Sequence, residues 1–169
     1  MIPSDTQLVL HRHYSASRER VWHLWTTPAG ITSWWAPDGF STSVEVLDLR
    51  PGGALVHTMT ATGRDQITFM QQAGMPLSTR SYKEFVEIDE PRRLAYTSTI
   101  DFVPDVEPYQ HLTVVTLERT PGGTDVRMDM EPLHDDVWTE RLQAGRADEL
   151  DKLARVIASA SLRGELRRY

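Results

Sequence analysis

Between Gln7 and Glu131 the chain offers a succession of short strand-like runs, most of them separated by turn residues and not by helices. Gln7 to Tyr14 carries Leu8, Val9 and Leu10. Ser43 to Asp48 is β-branched and half polar, and Arg50-Pro51-Gly52-Gly53 turns it into Ala54 to Thr60. Tyr82 to Asp89 alternates, Glu90-Pro91-Arg92 turns, and Leu94 to Phe102 follows. A Pro-rich loop from Val103 to Tyr109 leads into His111 to Thr120, and Pro121-Gly122-Gly123 turns into Thr124 to Glu131. Strands joined by tight turns pair antiparallel, because a parallel pair needs a long crossover. The pattern therefore predicts an antiparallel meander in an α+β chain.

Helical signals flank the meander. Ser15-Ala16-Ser17 offers hydroxyl caps and Glu19 suits a first turn. Val21, Trp22, Leu24 and Trp25 follow at helical spacing, Pro28 and Gly30 end that helix, and a second short one runs from about Ile31 to Trp35. From Asp135 the period changes to about 3.6, with Trp138, Leu142, Gly145, Leu150, Leu153 and Ile157 near one stripe. Arg141, Arg146, Lys152 and Arg155 mostly lie off it. This long helix should end near Ala160, leaving a polar, frayed tail over 162–169. One segment interrupts the meander. Residues 61–81 are too long for a hairpin loop of about 2–5 residues. Asp65 to Ala73 has helix character, with Gly74 placed as its terminator and Pro76 beyond.

The totals restrict the function classes. A chain of 169 residues fits one domain, with a core over about 7–160. It has no cysteine, which excludes disulfides, thiol nucleophiles and zinc–thiolate sites and fits a reducing cytoplasm. The net charge of -6, with no basic stripe, argues against nucleic acid. No stretch approaches about 18 apolar residues, so no membrane span is expected, and the start reads as no signal peptide. A Gly-x-Ser-x-Gly elbow, a phosphate loop and His-Glu-x-x-His are all missing, and no cofactor is expected.

The pieces and their order resemble a known family. Tyr14-Ser15-Ala16-Ser17-Arg18-Glu19-Arg20-Val21-Trp22 looks like its opening strand-to-helix signature. Trp34-Trp35-Ala36-Pro37 resembles its Trp-Trp-Gly-Pro element, with Ala36 in place of glycine. Pro51-Gly52-Gly53, Glu90-Pro91-Arg92-Arg93-Leu94 and Gly122-Gly123-Thr124 match its turns, and Leu150-Asp151-Lys152-Leu153 its closing helix. The family is the group like the C-terminal domain of the activator of heat-shock-protein (Hsp-90) ATPase, within the START-like, or SRPBCC, superfamily. The resemblance covers residues 7 to about 158. It implies a helix-grip fold: a seven-stranded antiparallel sheet, two short helices after the first strand, and a long C-terminal helix across the concave face. It also implies a cavity between helix and sheet, since relatives bind lipids, polyketides and hormones and some are cyclases. The resemblance is to the co-chaperone's C-terminal domain alone, and no counterpart of its other domain is expected, so its role is not carried over.

Strand parity assigns an inward face, because alternate side chains point the same way. Leu55 after the Gly-Gly turn should point inward, and with it His57 and Met59. Ile88 beside its turn should be core, which places Tyr82, Glu84 and Val86 inward too. Tyr96, Ser98, Ile100 and Phe102 follow from Leu94. His111, Thr113, Val115 and Leu117 form the next set, and Val126, Met128 and Met130 the last. A one-residue bulge would reverse any strand. Trp35 and Phe40 are candidates for the cavity mouth, Trp138 and Leu142 for its helix side, and Phe69, Met70 and Met75 for a lid, with packing as the alternative for each. His11, His13, His23 and His134 read as solvated surface.

The lining is thus apolar with a polar group centred on His57, Glu84 and His111. Three roles remain open for it: a structural hydrogen-bond network, orientation of a ligand's polar end, or acid–base catalysis by Glu84 or a histidine. A metal site on those three residues lacks close-spaced ligands and is not expected. The leading function is binding of an apolar or amphipathic small molecule. A cyclase or hydrolase with a Glu/His pair and a chaperone-regulator-like interaction protein are the alternatives, and a homodimer is compatible with either.

Overall fold

A computed structural model describes residues 7–166, with side chains to residue 160. Its strands are β1 (Leu8–Tyr14), β2 (Phe40–Leu47), β3 (Ala54–Ala61), β4 (Ser78–Asp89), β5 (Arg93–Ile100), β6 (Tyr109–Thr120) and β7 (Gly123–Met130). Its helices are α1 (Arg18–Thr26), α2 (Pro28–Trp34), α3 (Arg64–Gln72) and α4 (Asp136–Leu166). The strands form one curved sheet in the order β1-β7-β6-β5-β4-β3-β2, and every neighbouring pair is antiparallel. Each turn-linked pair from β2 to β7 is adjacent, as the meander predicts. The first strand joins the last, from Leu8 opposite Met130 to Tyr14 opposite Thr124. This is the helix-grip arrangement.

The two short helices bridge β1 and β2. Ser17 caps α1 by accepting from the Arg20 amide at 3.2 Å. α1 ends at Thr26, just before Pro28 as expected, but Pro28 also begins the second helix three residues earlier than its expected start at Ile31. It opens α2, where a proline at the first position loses no helical hydrogen bond, and Thr27 caps it by accepting from the Gly30 amide at 3.0 Å. A Cβ on Gly30 would lie 2.6 Å from backbone atoms of His23 and Leu24, so the helices can cross this closely only at glycine. Trp22, Trp25, Trp34 and Trp35 are all buried there, and Trp25 and Trp34 meet edge-on at 4.5 Å. Burying such side chains contributes roughly 2–3 kcal/mol each.

The long helix continues to Leu166, beyond the expected end at Ala160, so part of the segment expected to fray is helical and the remainder lies outside the described residues. Its second half is clamped. Leu150, Leu153 and Ile157 are buried, the Tyr14 hydroxyl donates to the Leu150 carbonyl at 2.8 Å, and Lys152 donates to the Ala36 carbonyl at 3.2 Å. The closest backbone approaches of α4 are to α2 and β1. Its first half carries Arg146 and Glu149, whose charges act on Lys83 and Tyr96 of the sheet. A Cβ built on Gly145, in that half, would meet nothing within 4 Å, so the glycine is not required by a close contact with the sheet.

The interruption between β3 and β4 is helical, as its sequence suggests. α3 occupies Arg64–Gln72 and ends at Gly74 with φ 68°. Met70 is buried, whereas Phe69 is 64% exposed and Met75 is also exposed, so only one of the three expected lid residues turns into the protein.

Candidate ligand site beneath the long helix

Register places two rows of side chains on the face covered by α4. The first runs Leu55, Lys83, Ser98, His111 across β3, β4, β5 and β6. The second runs Phe85, Tyr96, Thr113, Met130 across β4, β5, β6 and β7. All eight are buried. Residues directly opposite on paired strands share a face, so these rows are the floor of the site. His57 lies two residues beyond Leu55 on the same side, and Met59 follows it, half-buried.

This arrangement corrects the parity expected for β4. A bulge between Phe85 and Glu87 shifts the register against β5, so Ile88 and Phe85 both face the core although they are three positions apart. Tyr82, Glu84 and Val86 consequently face outward and are exposed. The Glu84–histidine pair is therefore not assembled, and neither is the His57, Glu84, His111 trio. Among the described residues no group of three metal-ligating side chains converges. Phe102 lies beyond the end of β5 and is 52% exposed, which corrects its inward placement. The other inward expectations agree with burial: Leu55, Tyr96, Ser98, His111, Thr113, Met128 and Met130 are all buried.

The residue that replaces Glu84 is Lys83, and its environment is unusual. The side chain is 3% exposed. Its Nζ donates to the Ser98 hydroxyl at 2.9 Å and sits 5.4 Å from the Tyr96 ring centre and 5.8 Å from that of Trp35. Among the described residues no carboxylate lies within ion-pair distance of it. Burial, reinforced by the Arg146 charge and partly opposed by Glu149, pulls its pKa from 10.5 down to about 7. The aromatic faces favour the ammonium by about 1–2 kcal/mol, less than the burial removes. The amine is therefore substantially neutral near neutral pH.

Around it, polar atoms go unserved. Both His57 ring nitrogens and the Trp35 indole N–H are buried without a hydrogen-bond partner among the described residues. The two rings meet edge-on at 5.2 Å. Burial, with the Lys83 and Arg146 charges, lowers the His57 pKa to about 3, so the ring is neutral. Burial also lowers that of His111. Its Nε2 lies 2.6 Å from the Glu131 carbonyl, which can only accept, so the proton sits there and Nδ1 is left as an acceptor. Burial raises the Tyr96 phenol to about 12, keeping it protonated.

Arg146, expected off the apolar stripe, is turned toward the site. Its side chain is 27% exposed and chelates Glu149 through two contacts of 2.9 and 2.8 Å, and its charge is felt by Lys83, His57, Tyr96 and His111. Trp35 borders the cluster and Leu142 packs partly buried against the core. Phe40 is half-buried at the start of β2. Trp138 instead joins a half-exposed group, 5.6 Å from Phe102 and 6.0 Å from His134, with Arg141 stacked on it at 5.0 Å. His134 is thus part of a cluster and lies 2.8 Å from the Tyr109 hydroxyl. A separate open depression of about 490 Å³, lined by Ser15 to Glu19 and by Arg119, Thr120, Gly122 and Gly123, lies at the opposite end of β6 from His111 and holds none of these groups.

Lys83 and Arg146 are the residues that sequence reasoning missed. Two signals pointed to Lys83. The chain has only two lysines among 18 basic residues, and Phe85 and Ile88 can both be core only if a bulge separates them.

Residues 15–158 match the sequence model of the activator of Hsp90 ATPase homolog 1-like protein family. A sequence search of curated proteins found no match. Among solved structures, a protein of Chromobacterium violaceum is similar at 25% identity, covering 90% of this chain and 97% of that one with a TM-score of 0.72. An AHSA1-like protein from Aeromonas hydrophila is 23% identical over 92% of this chain and 94% of its own, with a TM-score of 0.71. A protein of Arthrobacter aurescens, 18% identical, shares the fold with a TM-score of 0.73 over 91% and 87% of the two chains. With most of its length matched by one family and the same strand order and closing helix in place, the chain belongs to the activator of Hsp90 ATPase homolog 1-like family.

Proposed function

We propose that the protein binds an apolar or amphipathic small molecule between the sheet and the first half of α4, with the ligand's oxygen-bearing end toward Lys83. One observation carries this reading: a buried lysine without a carboxylate partner stands beside three buried polar atoms that have no partner among the described residues. Each such orphan costs about 1–3 kcal/mol, and native proteins keep few of them. Apolar walls with a few convergent polar groups are what a small-molecule site requires. An oxygen that accepts from Lys83 and from the Trp35 indole, with His57 alongside, would serve the donors at once. Gly145, on the first half of α4, has room for a side chain.

Native mass spectrometry tests the reading. Protein from its own host, and protein mixed with a panel of apolar aldehydes, ketones and carboxylic acids, should show one-to-one complexes. Gly145→Phe should fill the space and lose them while keeping the wild-type circular dichroism. Free protein alone with every panel member, or complexes that survive Gly145→Phe, would count against it.

A further inference from the structure

We propose that Lys83 captures a carbonyl-bearing ligand covalently, as an imine. This rests on the ligand-site reading above and adds a reaction to it. The geometry supplies what a lysine nucleophile needs. The amine is buried in an apolar, aromatic surround, has no carboxylate in contact to hold it as an ammonium, and lies near a second cation, Arg146, that disfavours its charged form. In its neutral form the nitrogen carries a lone pair and lies 2.9 Å from the Ser98 hydroxyl, which can accept from it or donate to it; with Ser98 accepting, the lone pair is free to attack. The Trp35 indole N–H, without a partner of its own, is available to a carbonyl or carbinolamine oxygen. His57 adds one ring donor and one ring acceptor, both unused.

The step balances without any further reagent. The Nζ lone pair forms a bond to the carbonyl carbon while the carbonyl π pair moves to oxygen. A proton passes from nitrogen to that oxygen, giving the carbinolamine. The nitrogen lone pair then expels the hydroxyl, which takes up a proton and leaves as water. The second amine proton is released, and the neutral imine remains. No redox change occurs. Carboxylic acids, which do not form imines under these conditions, would be held without a covalent bond.

The reagent that reads this out is cyanoborohydride, which reduces the imine to a stable secondary amine. The whole protein is incubated with an apolar aromatic aldehyde such as naphthaldehyde, reduced, digested and mapped. The expected mass gain is that of the aldehyde less one oxygen, on the peptide carrying Lys83. The other lysine, Lys152, is an internal control, because its Nζ is committed to the Ala36 carbonyl. At pH 7 about half of an amine with pKa near 7 is neutral, against about one in 2,500 for an ordinary lysine in water. Lower basicity gives back part of that advantage, so labelling of Lys83 over Lys152 by more than about tenfold is expected.

The wild-type map decides the matter even if a variant misfolds. Lys83→Arg should abolish the adduct and Lys152→Arg should leave it. A non-covalent one-to-one complex with the aldehyde but no adduct at Lys83 overturns the imine and leaves the ligand-site reading standing. Adducts only at Lys152 or the N-terminus overturn the imine as well. Neither complex nor adduct overturns both.

Discussion

Replacing Lys83 by methionine should stabilise the fold near neutral pH, although it removes a hydrogen bond. A native pKa of about 7 against 10.5 in the unfolded chain means that burying the ammonium costs roughly 5 kcal/mol at low pH, at about 1.4 kcal/mol per unit. At pH 7, where the native amine is half protonated, the cost is about 4 kcal/mol. The side chain is 3% exposed, so solvent screening gives little relief. Methionine keeps the length and the apolar contacts of the stem. It forfeits the Ser98 hydrogen bond, worth about 1 kcal/mol, and the contact with the Trp35 and Tyr96 rings, worth about 1–2 kcal/mol. A net gain of roughly 1–2 kcal/mol at pH 7 remains. The pH dependence has a definite sign. Between pH 7 and 10.5 the unfolded chain binds a proton at this site that the native state does not, so wild-type stability rises with pH through that window. The penalty at pH 9 falls to about 2 kcal/mol, so the advantage of Lys83→Met should shrink by about 2 kcal/mol between pH 7 and pH 9. Urea unfolding of both proteins at the two pH values measures this, since other titrating groups cancel in the difference. A variant less stable than wild type at pH 7, with a gap that does not change by pH 9, would refute the claim that Lys83 is strained by burial.

Two further perturbations test the neighbouring residues. His57→Phe removes no hydrogen bond, because neither ring nitrogen has a partner among the described residues. With the native pKa lowered from 6.5 to about 3, the unfolded chain takes up a proton below pH 6.5 that the native state refuses. Wild type should therefore lose about 2 kcal/mol relative to His57→Phe on going from pH 7 to pH 4.5, and parallel thermal unfolding curves at both pH values would contradict the burial of a neutral ring. Ala36 adopts φ 85° in the left-handed region, which favours glycine. Ala36→Gly should raise stability by about 0.5–1 kcal/mol, the relief of backbone strain exceeding the added freedom of the unfolded chain, and a lower unfolding midpoint would show that the strain is not real.

How much was legible in the sequence differs between the fold and the site. The strand order of the meander and the long closing helix follow from signals that are local: turn residues such as Pro51-Gly52-Gly53 and Pro121-Gly122-Gly123 dictate chain reversal, and a 3.6 period from Trp138 to Ile157 dictates a helix face. The lining on β5, β6 and β7 was legible for the same reason, because those strands pair without a bulge and alternation carries through from Leu94 to Ile100 and from His111 to Leu117. On β4 the same rule fails. A bulge is a property of two paired strands, not of one, so nothing within the run Tyr82 to Asp89 states where the register against β5 will shift. That single shift exchanges Glu84 for Lys83 at the centre of the site.

What the sequence by itself determined, then, is the container: an antiparallel sheet, a helix long enough to cross it, and residues of suitable polarity on alternate positions. What only the tertiary structure decided is the chemistry inside. The apolar stripe of α4 turns its face to the sheet, but Arg146 is drawn inward because Glu149, one turn on, accepts its guanidinium. Lys83 changes character because three parts of the fold enclose it at once: Ser98 and Tyr96 on β5, Trp35 after α2, and the Arg146 charge from α4. Burial and electrostatic potential at a point sum over neighbours distant in the chain, and a one-dimensional pattern carries no record of that sum.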